Sequence, residues 1–331
     1  MINRALVLSG GGAKGSFELG VVDYLINDLK MDFQVLCGVS TGALNASLLS
    51  QSKGYDGLKE KLEKLKEIWF SINSEKDIYK KTPKVDFLRI VSRYNGSPLK
   101  DKINKNIRPS EIASSGKEFR TGVVSLNTGE YIPIDQKSPM IRDFILASAS
   151  IPFFFPPVKI KKQLFVDGGV REITPLADAF RALRKLGEKS SHIVHRSERD
   201  EIYIVLSSPL KIKKIKSSET NNILETLKRS IEILTSEIYV DDIKHAEELN
   251  EYIEKLETLR RRLYKRYDID EVERIFEGLE FRYKRKKQAS VKITLFEPDK
   301  EYMDSLEFNP KKIRKAFEAG RSIAKEIMSG I

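Results

Sequence analysis

Histidine is scarce in this chain: three residues among 331, at His192, His195 and His245, all in charged surroundings. A serine–acid–histidine order along the chain permits His192 or His195 as a catalytic base, but the polar connection at 190–196 is a poor mount for a rigid imidazole. Cysteine is scarcer. Cys37 ends an apolar run and reads as a small core residue, so there is no internal disulfide framework and a reducing compartment is expected. No His/Cys cluster has ligand spacing and no Asp-rich calcium loop occurs, so the expectation is no metal and no cofactor. The first residues show neither a basic lead nor an apolar stretch of roughly 7–15 residues, the marks of a secretory leader. No uninterrupted apolar run approaches a membrane span; the richest, residues 144–158, is broken by Pro152, Pro156 and Pro157. These absences predict a soluble cytoplasmic protein, peripheral to a membrane at most, with leaderless secretion left open.

Charge is plentiful and unbalanced, with 59 basic against 48 acidic residues and a net charge of +11. No helix-turn-helix, zinc or aromatic RNA-binding signature accompanies the excess, so nucleic acid is not the expected partner. Anionic lipid head groups are the alternative, at about 1 kcal/mol per basic residue near the surface. Three clusters stand out: Lys211, Lys213, Lys214 and Lys216; Arg260, Arg261 and Arg262; and Arg282, Lys284, Arg285, Lys286 and Lys287. Taken singly, each also fits a solvated helix face.

Three short motifs carry the chemistry. Gly38-Val39-Ser40-Thr41-Gly42 lies between an apolar run ending at Cys37 and the small-residue run Ala43 to Leu49, which places a serine on a tight strand-to-helix turn. Such a turn is a nucleophile elbow, and the helix after it aims its positive end where an oxyanion would form. Upstream, the short strand ending at Leu8 runs into Ser9-Gly10-Gly11-Gly12-Ala13-Lys14-Gly15. Gly10, Gly12 and Gly15 fit a dinucleotide fingerprint, but that motif needs an acid roughly 20 residues on, where the second strand here ends in Cys37-Gly38. A P-loop needs Gly-Lys before Ser or Thr, and Lys14-Gly15 has the reverse order. An oxyanion hole built from glycine N–H groups is the third reading, and the elbow favours it. Downstream, Asp167 closes the strand at 163–166 and precedes Gly168-Gly169, an acid presented at a strand end; alone, it is also a hairpin turn.

Together these residues resemble the patatin-like phospholipase family, through Gly10 to Gly15, Gly38 to Gly42, the segment Ala147 to Pro157, and Asp167-Gly168-Gly169. The resemblance covers roughly residues 4–210, with weaker echoes at Asp241-Asp242 and near Gly320. It implies a Ser–Asp dyad without histidine, in which Ser40 is the nucleophile and Asp167 the general base. It also implies that Gly10, Gly11 and Gly12 supply oxyanion N–H groups, with Lys14 in the basic place of the loop. Gly15, Gly38, Gly42, Gly168 and Gly169 support the motifs, although many members have Ala at the position of Gly169. Such a dyad requires a desolvated acid, because a carboxylate with a pKa near 3.9 is a weak acceptor for a serine proton. Phe165, Val166 and the run Phe153 to Phe155 are placed to exclude water from it.

The predicted architecture is a three-layer α/β/α hydrolase fold with a mainly parallel sheet and a helical extension. Residues 1–210 form the core, 211–290 a charged helical segment packed on it, and 291–331 a final strand and helix completing it. Within the core, helices are predicted over 16–29, 55–70 and 84–94, the last two amphipathic, and a hairpin across Asn127-Thr128-Gly129. Apolar residues at threes and fours predict one long helical stretch from 221 to about 285 that packs across the core, with a protruding arm or lid as the alternative for its distal half near 256–267. The expected function is hydrolysis of lipid acyl esters through an acyl-enzyme, of phospholipase A or lysophospholipase type, at a membrane surface. The alternatives are a non-catalytic lipid or protein binding module with the same fold and, further off, a dinucleotide-dependent oxidoreductase. Oligomeric state is not legible.

Overall fold

Ala5, Leu6, Val7 and Leu8 are apolar without interruption and stop at a glycine loop, so they make a short strand hidden on both faces, and none of them is exposed. In the computed structural model, which describes residues 2–82, 92–189, 200–212, 214–215, 222–278 and 291–330, this strand is β1 (Arg4–Leu8). The chain continues through α1 (Gly15–Asp23), β2 (Val35–Gly38), α2 (Thr41–Leu49) and α3 (Gly54–Phe70). The strands β3 (Lys80–Lys81) and β4 (Tyr94–Asn95) pair as a small separate ribbon, followed by α4 (Ser97–Asn106) and α5 (Pro109–Ser114). Then come β5 (Glu118–Ser125), β6 (Tyr131–Asp135), α6 (Ile141–Ser148), β7 (Val158–Ile160), β8 (Gln163–Asp167), α7 (Leu176–Lys189) and β9 (Glu201–Val205). The last elements are α8 (Ile223–Leu263), α9 (Ile269–Gly278), β10 (Lys292–Phe296) and α10 (Pro310–Ser329).

The main sheet runs in the order β10-β9-β1-β2-β5-β8-β7, with β6 on the other edge of β5. β10, β9, β1, β2 and β5 are mutually parallel; β6 and β8 pair antiparallel with β5, and β7 pairs antiparallel with β8. Alternation along each strand sends side chains to opposite faces. Leu6, Leu8 and Leu36 join a core with Phe17, Leu49 and Phe317, whereas Ala5, Val7 and Val35 join a second core with Phe180, Tyr239 and Ile243. Helices α1, α2 and α10 thus cover one face and α7 with the middle of α8 the other, giving an α/β fold with a mostly parallel sheet between helical layers.

One pairing matters for function. β2 runs parallel to β5 with Gly38 opposite Thr121, and β8 runs antiparallel to it with Asp167 opposite Val123. Because β6 occupies the other edge of β5 over Arg120 to Val124, β2 and β8 share one edge and meet end to end across Gly122.

Three expectations change. Residues 84–91 of the helix expected over 84–94 lie outside the described residues, and Tyr94 belongs to strand β4, which pairs with Lys80 and Lys81. The helix expected over 16–29 is regular only to Asp23 and widens into a π turn over Tyr24–Asp28. The long helical stretch is broken after Leu263, where Asp268 Oδ1 accepts the N–H groups of Asp270 and Glu271 and starts α9. α9 folds back onto the end of α8: Glu273 holds both Arg260 and the Tyr264 hydroxyl, and Arg260 lies over the Phe276 ring.

Candidate active site

Ser40 follows β2 directly and is the N-cap of α2, with φ 55° and ψ −123°. Positive φ in a residue with a side chain is strained, and here the strain holds the hydroxyl at the tip of the turn. The flanking glycines make the turn possible. A Cβ on Gly38 would lie 2.2 Å from the Gly42 carbonyl oxygen, and one on Gly42 would lie 2.2 Å from the Leu8 carbonyl oxygen. Helix, strand and elbow pack backbone against backbone. The Ser40 N–H donates to Ser148 Oγ at 3.1 Å, and Thr121 donates to the same hydroxyl, so α6 and β5 brace the elbow from below.

Asp167 arrives from the other side of the same strand edge. Its Oδ1 accepts the Gly169 N–H at 2.8 Å, and its own N–H donates to Ser150 O at 3.0 Å. Both Ser40 and Asp167 are buried, at 5% and 3% exposure. Burial pushes the Asp167 pKa from 3.8 up to about 7, against the opposing effects of the Gly169 N–H and the Ser40 hydroxyl. No closed hydrogen bond joins the two side chains, since Asp167 Oδ2 is buried without a partner. Catalytic contacts are often this open before substrate binds.

Two cavities meet at Ser40. One, of about 590 Å³, also contains Asp167, Gly10, Gly11 and Lys14 and is walled on its far side by α8. The other, of about 110 Å³, is almost wholly apolar, lined by residues such as Leu48, Leu65, Trp69, Ile103 and Phe155.

Gly10 and Gly11 face the first cavity and Gly12 the second, and the three glycines are not equivalent. Gly10 donates its N–H to Ile173 O at 3.0 Å, which takes it out of the set of oxyanion donors; Ile173 reaches it from the turn that follows Gly168 and Gly169. The N–H groups of Gly11 and Gly12 make no hydrogen bond among the described residues. Lys14 is buried and does not point at Ser40: its ammonium is held by Ser208 Oγ at 3.0 Å and by Glu301, tying the loop to the segments after β9 and β10. Gly15 starts α1 against Thr41, and Gly168 is pressed on Gly122 of β5.

Residues 6–180 match the sequence profile of the patatin-like phospholipase family, more than half of the chain. The chain belongs to that family. Patatin-like phospholipases are lipid acyl hydrolases as a group, and the three motifs read from the sequence all fall inside the matched span. Among solved structures, VipD from Legionella pneumophila is similar at 13% identity, covering 100% of this chain and 67% of that one, with a TM-score of 0.40. Likeness at that level fixes neither substrate nor site.

The remaining candidates fall away from this centre. His245 is exposed on α8 and lines neither cavity at Ser40, while His192 and His195 lie outside the described residues. Of the basic clusters, Arg260 is paired with Glu273 and Arg261 with Glu257, so much of that charge is neutralised within the helical hairpin. Lys213, Lys216 and 282–287 lie outside the described residues. Among the described residues no group could hold a metal ion, and no helix is long and apolar enough to cross a membrane. Ser148 and Tyr239 are site-building residues that the sequence did not single out. Ser148 stood within the Ala147 to Pro157 segment; Tyr239 carried no signal beyond an apolar position on a helix.

Proposed function

We propose that this protein hydrolyses acyl esters of lipids, in the manner of a phospholipase A or lysophospholipase, through a Ser40–Asp167 dyad. The observation that carries the reading is the strained Ser40 elbow sharing one cavity with a desolvated carboxyl whose Oδ2 has no other partner. Asp167 takes the Ser40 proton as Oγ adds to the ester carbonyl. The resulting oxyanion is met by the N–H groups of Gly11 and Gly12 and by the start of α2, where the first N–H groups have no intrahelical partner. Collapse breaks the ester bond, and the departing alkoxide takes the proton from Asp167. Water then adds to the acyl-enzyme, giving its proton to Asp167 and releasing the fatty acid as Ser40 is reprotonated.

The two cavities support a lipid rather than a small polar ester. The narrow apolar one suits an acyl chain, and the wider one, whose walls carry Lys14, Arg229 and Lys312 each paired with a carboxylate (Glu301, Glu232 and Glu307), has the room and polarity for the alcohol and head group. Fluorophosphonate labelling tests the reading. Label should attach to the wild-type protein and not to Ser40→Ala, whose esterase rate should fall by several orders of magnitude while the fold is kept. Undiminished turnover by Ser40→Ala would remove the serine hydrolase assignment; a panel of phospholipids and lysophospholipids would then name the substrate of the wild type.

A further inference from the structure

Outside the span that matches the family, one residue of the long helix reaches the glycine loop. Tyr239, on α8, is buried in the second core at the wall of the cavity that holds Ser40, and donates its hydroxyl proton to the Gly10 carbonyl oxygen. Ser207, just beyond β9, donates to the same oxygen at 2.6 Å and lies 3.0 Å from the Tyr239 hydroxyl. Ser9 Oγ completes the knot, 3.1 Å from Tyr239 and accepting the Ser207 N–H at 2.9 Å. Gly10 is therefore gripped at both ends, by Ile173 on its N–H and by two hydroxyls on its carbonyl.

The peptide bond turns that grip into aim. In a trans peptide the carbonyl of one residue and the N–H of the next lie in one plane and point in opposite directions. Fixing the Gly10 carbonyl fixes the direction of the Gly11 N–H. Gly10 stands against the nucleophile, where an added Cβ would lie 3.1 Å from Ser40 Cβ, and Gly11 lines the cavity that holds Ser40 and Asp167. Glycine has no side chain to hold such a peptide in place, so the restraint must come from elsewhere.

We propose that Tyr239 is a positioning residue for the oxyanion hole: from α8, together with Ser207, it aims the Gly11 N–H at the oxygen that develops charge on Ser40. This rests on Ser40 being the nucleophile. It makes the helical segment part of the catalytic apparatus, since loosening α8 would disorder a donor without moving Ser40 or Asp167.

The test compares wild type, Tyr239→Phe and Tyr239→Phe/Ser207→Ala, with Ser40→Ala as control. Turnover of p-nitrophenyl butyrate is normalised to sites titrated by fluorophosphonate, so that loss of folded protein does not count. Tyr239→Phe should lower kcat roughly tenfold and the double variant roughly a hundredfold or more, with KM within about twofold, on the scale of losing one oxyanion donor. The rate of fluorophosphonate attachment should fall in parallel, because that reaction also builds charge on an oxygen at Ser40. Independently of any activity, amide hydrogen exchange in the peptide spanning residues 6–16 should accelerate in the double variant. Unchanged exchange there, or accelerated exchange with kcat held, overturns the role given to Tyr239. A Ser40→Ala protein that remains active overturns the nucleophile instead, and the two failures are read from different samples.

Discussion

Replacing Asp167 by asparagine separates what the site needs from what the fold prefers. Asp167 sits at 3% exposure, with one oxygen on the Gly169 N–H and the other unpartnered. Its pKa rises from 3.8 to about 7 on burial, so the native state favours the neutral acid while the unfolded chain favours the carboxylate. The sign follows: the group is no burden below about pH 4, and stability is lost progressively as pH climbs from there through 7. At 1.36 kcal/mol per pH unit, the native-state penalty at pH 8 is on the order of 4 kcal/mol. Asparagine keeps the shape and the acceptor for Gly169 but carries no charge at any pH. Asp167→Asn should therefore be more stable than wild type at pH 8, by about 2–4 kcal/mol, and nearly equal to it at pH 4. Urea denaturation at the two pH values measures this. The same variant should lose esterase activity by roughly the factor seen for other dyad and triad members, a thousandfold or more. In the wild type, kcat/KM should rise with pH through an apparent pKa near 7 as Asp167 ionises. A variant that gains no stability at pH 8, or that keeps its activity, would refute the account of Asp167 as a desolvated base.

Further expectations follow from the rest of the site. Leu44→Trp, on the wall of the apolar cavity, should cut hydrolysis of p-nitrophenyl palmitate at least about tenfold while leaving the butyrate ester within about threefold, as pocket-filling does for substrates that differ in length. Equal losses on both esters would mean that the acyl chain lies elsewhere. Replacing His192, His195 and His245 together should leave most activity; a dead triple variant beside an active Asp167→Asn would establish a triad instead of a dyad. Binding to vesicles containing phosphatidylglycerol should exceed binding to phosphatidylcholine, weaken as NaCl rises, and drop in Lys211→Glu/Lys214→Glu, two exposed lysines flanking Ile212 on the cavity wall. Equal, salt-insensitive binding to both vesicles would leave the positive charge without a membrane role.

Much of this was legible because it is local. The apolar run of β1, the small-residue helix after Ser40 and the Asn127-Thr128-Gly129 turn declare themselves within a few residues, and each forms as read. What pairs across long separations was not. Nothing near Asp167 says that β8 will lie antiparallel on the edge of β5 that β2 already uses, yet that arrangement brings the acid to the serine. Gly10 read as an oxyanion donor equal to its neighbours, because a sequence does not show that Ile173 takes its N–H. The break before α9 did have a signal, in Asp268 two residues ahead of Asp270, but the apolar spacing continues across it and hides the cap. Pro98 and Pro109, each in the first turn of a helix, likewise marked α4 and α5 without being recognised.

The end-to-end meeting of β2 and β8 has a bearing on how the proposed dyad can vary. Strand pairing advances in whole residues, roughly 3.3 Å at a time, and each step also reverses the face to which a side chain points. Gly38, two residues before Ser40, and Asp167 are referred to one ruler, β5, at Thr121 and Val123. Their spacing is thus graduated rather than continuous. Gradual drift in surrounding loops leaves it untouched, whereas an insertion or deletion in β5 between those marks removes it in a single event. Intermediate geometries, the raw material for tuning a catalytic pair by small adjustments, are accessible here through side-chain surroundings and hardly at all through the backbone.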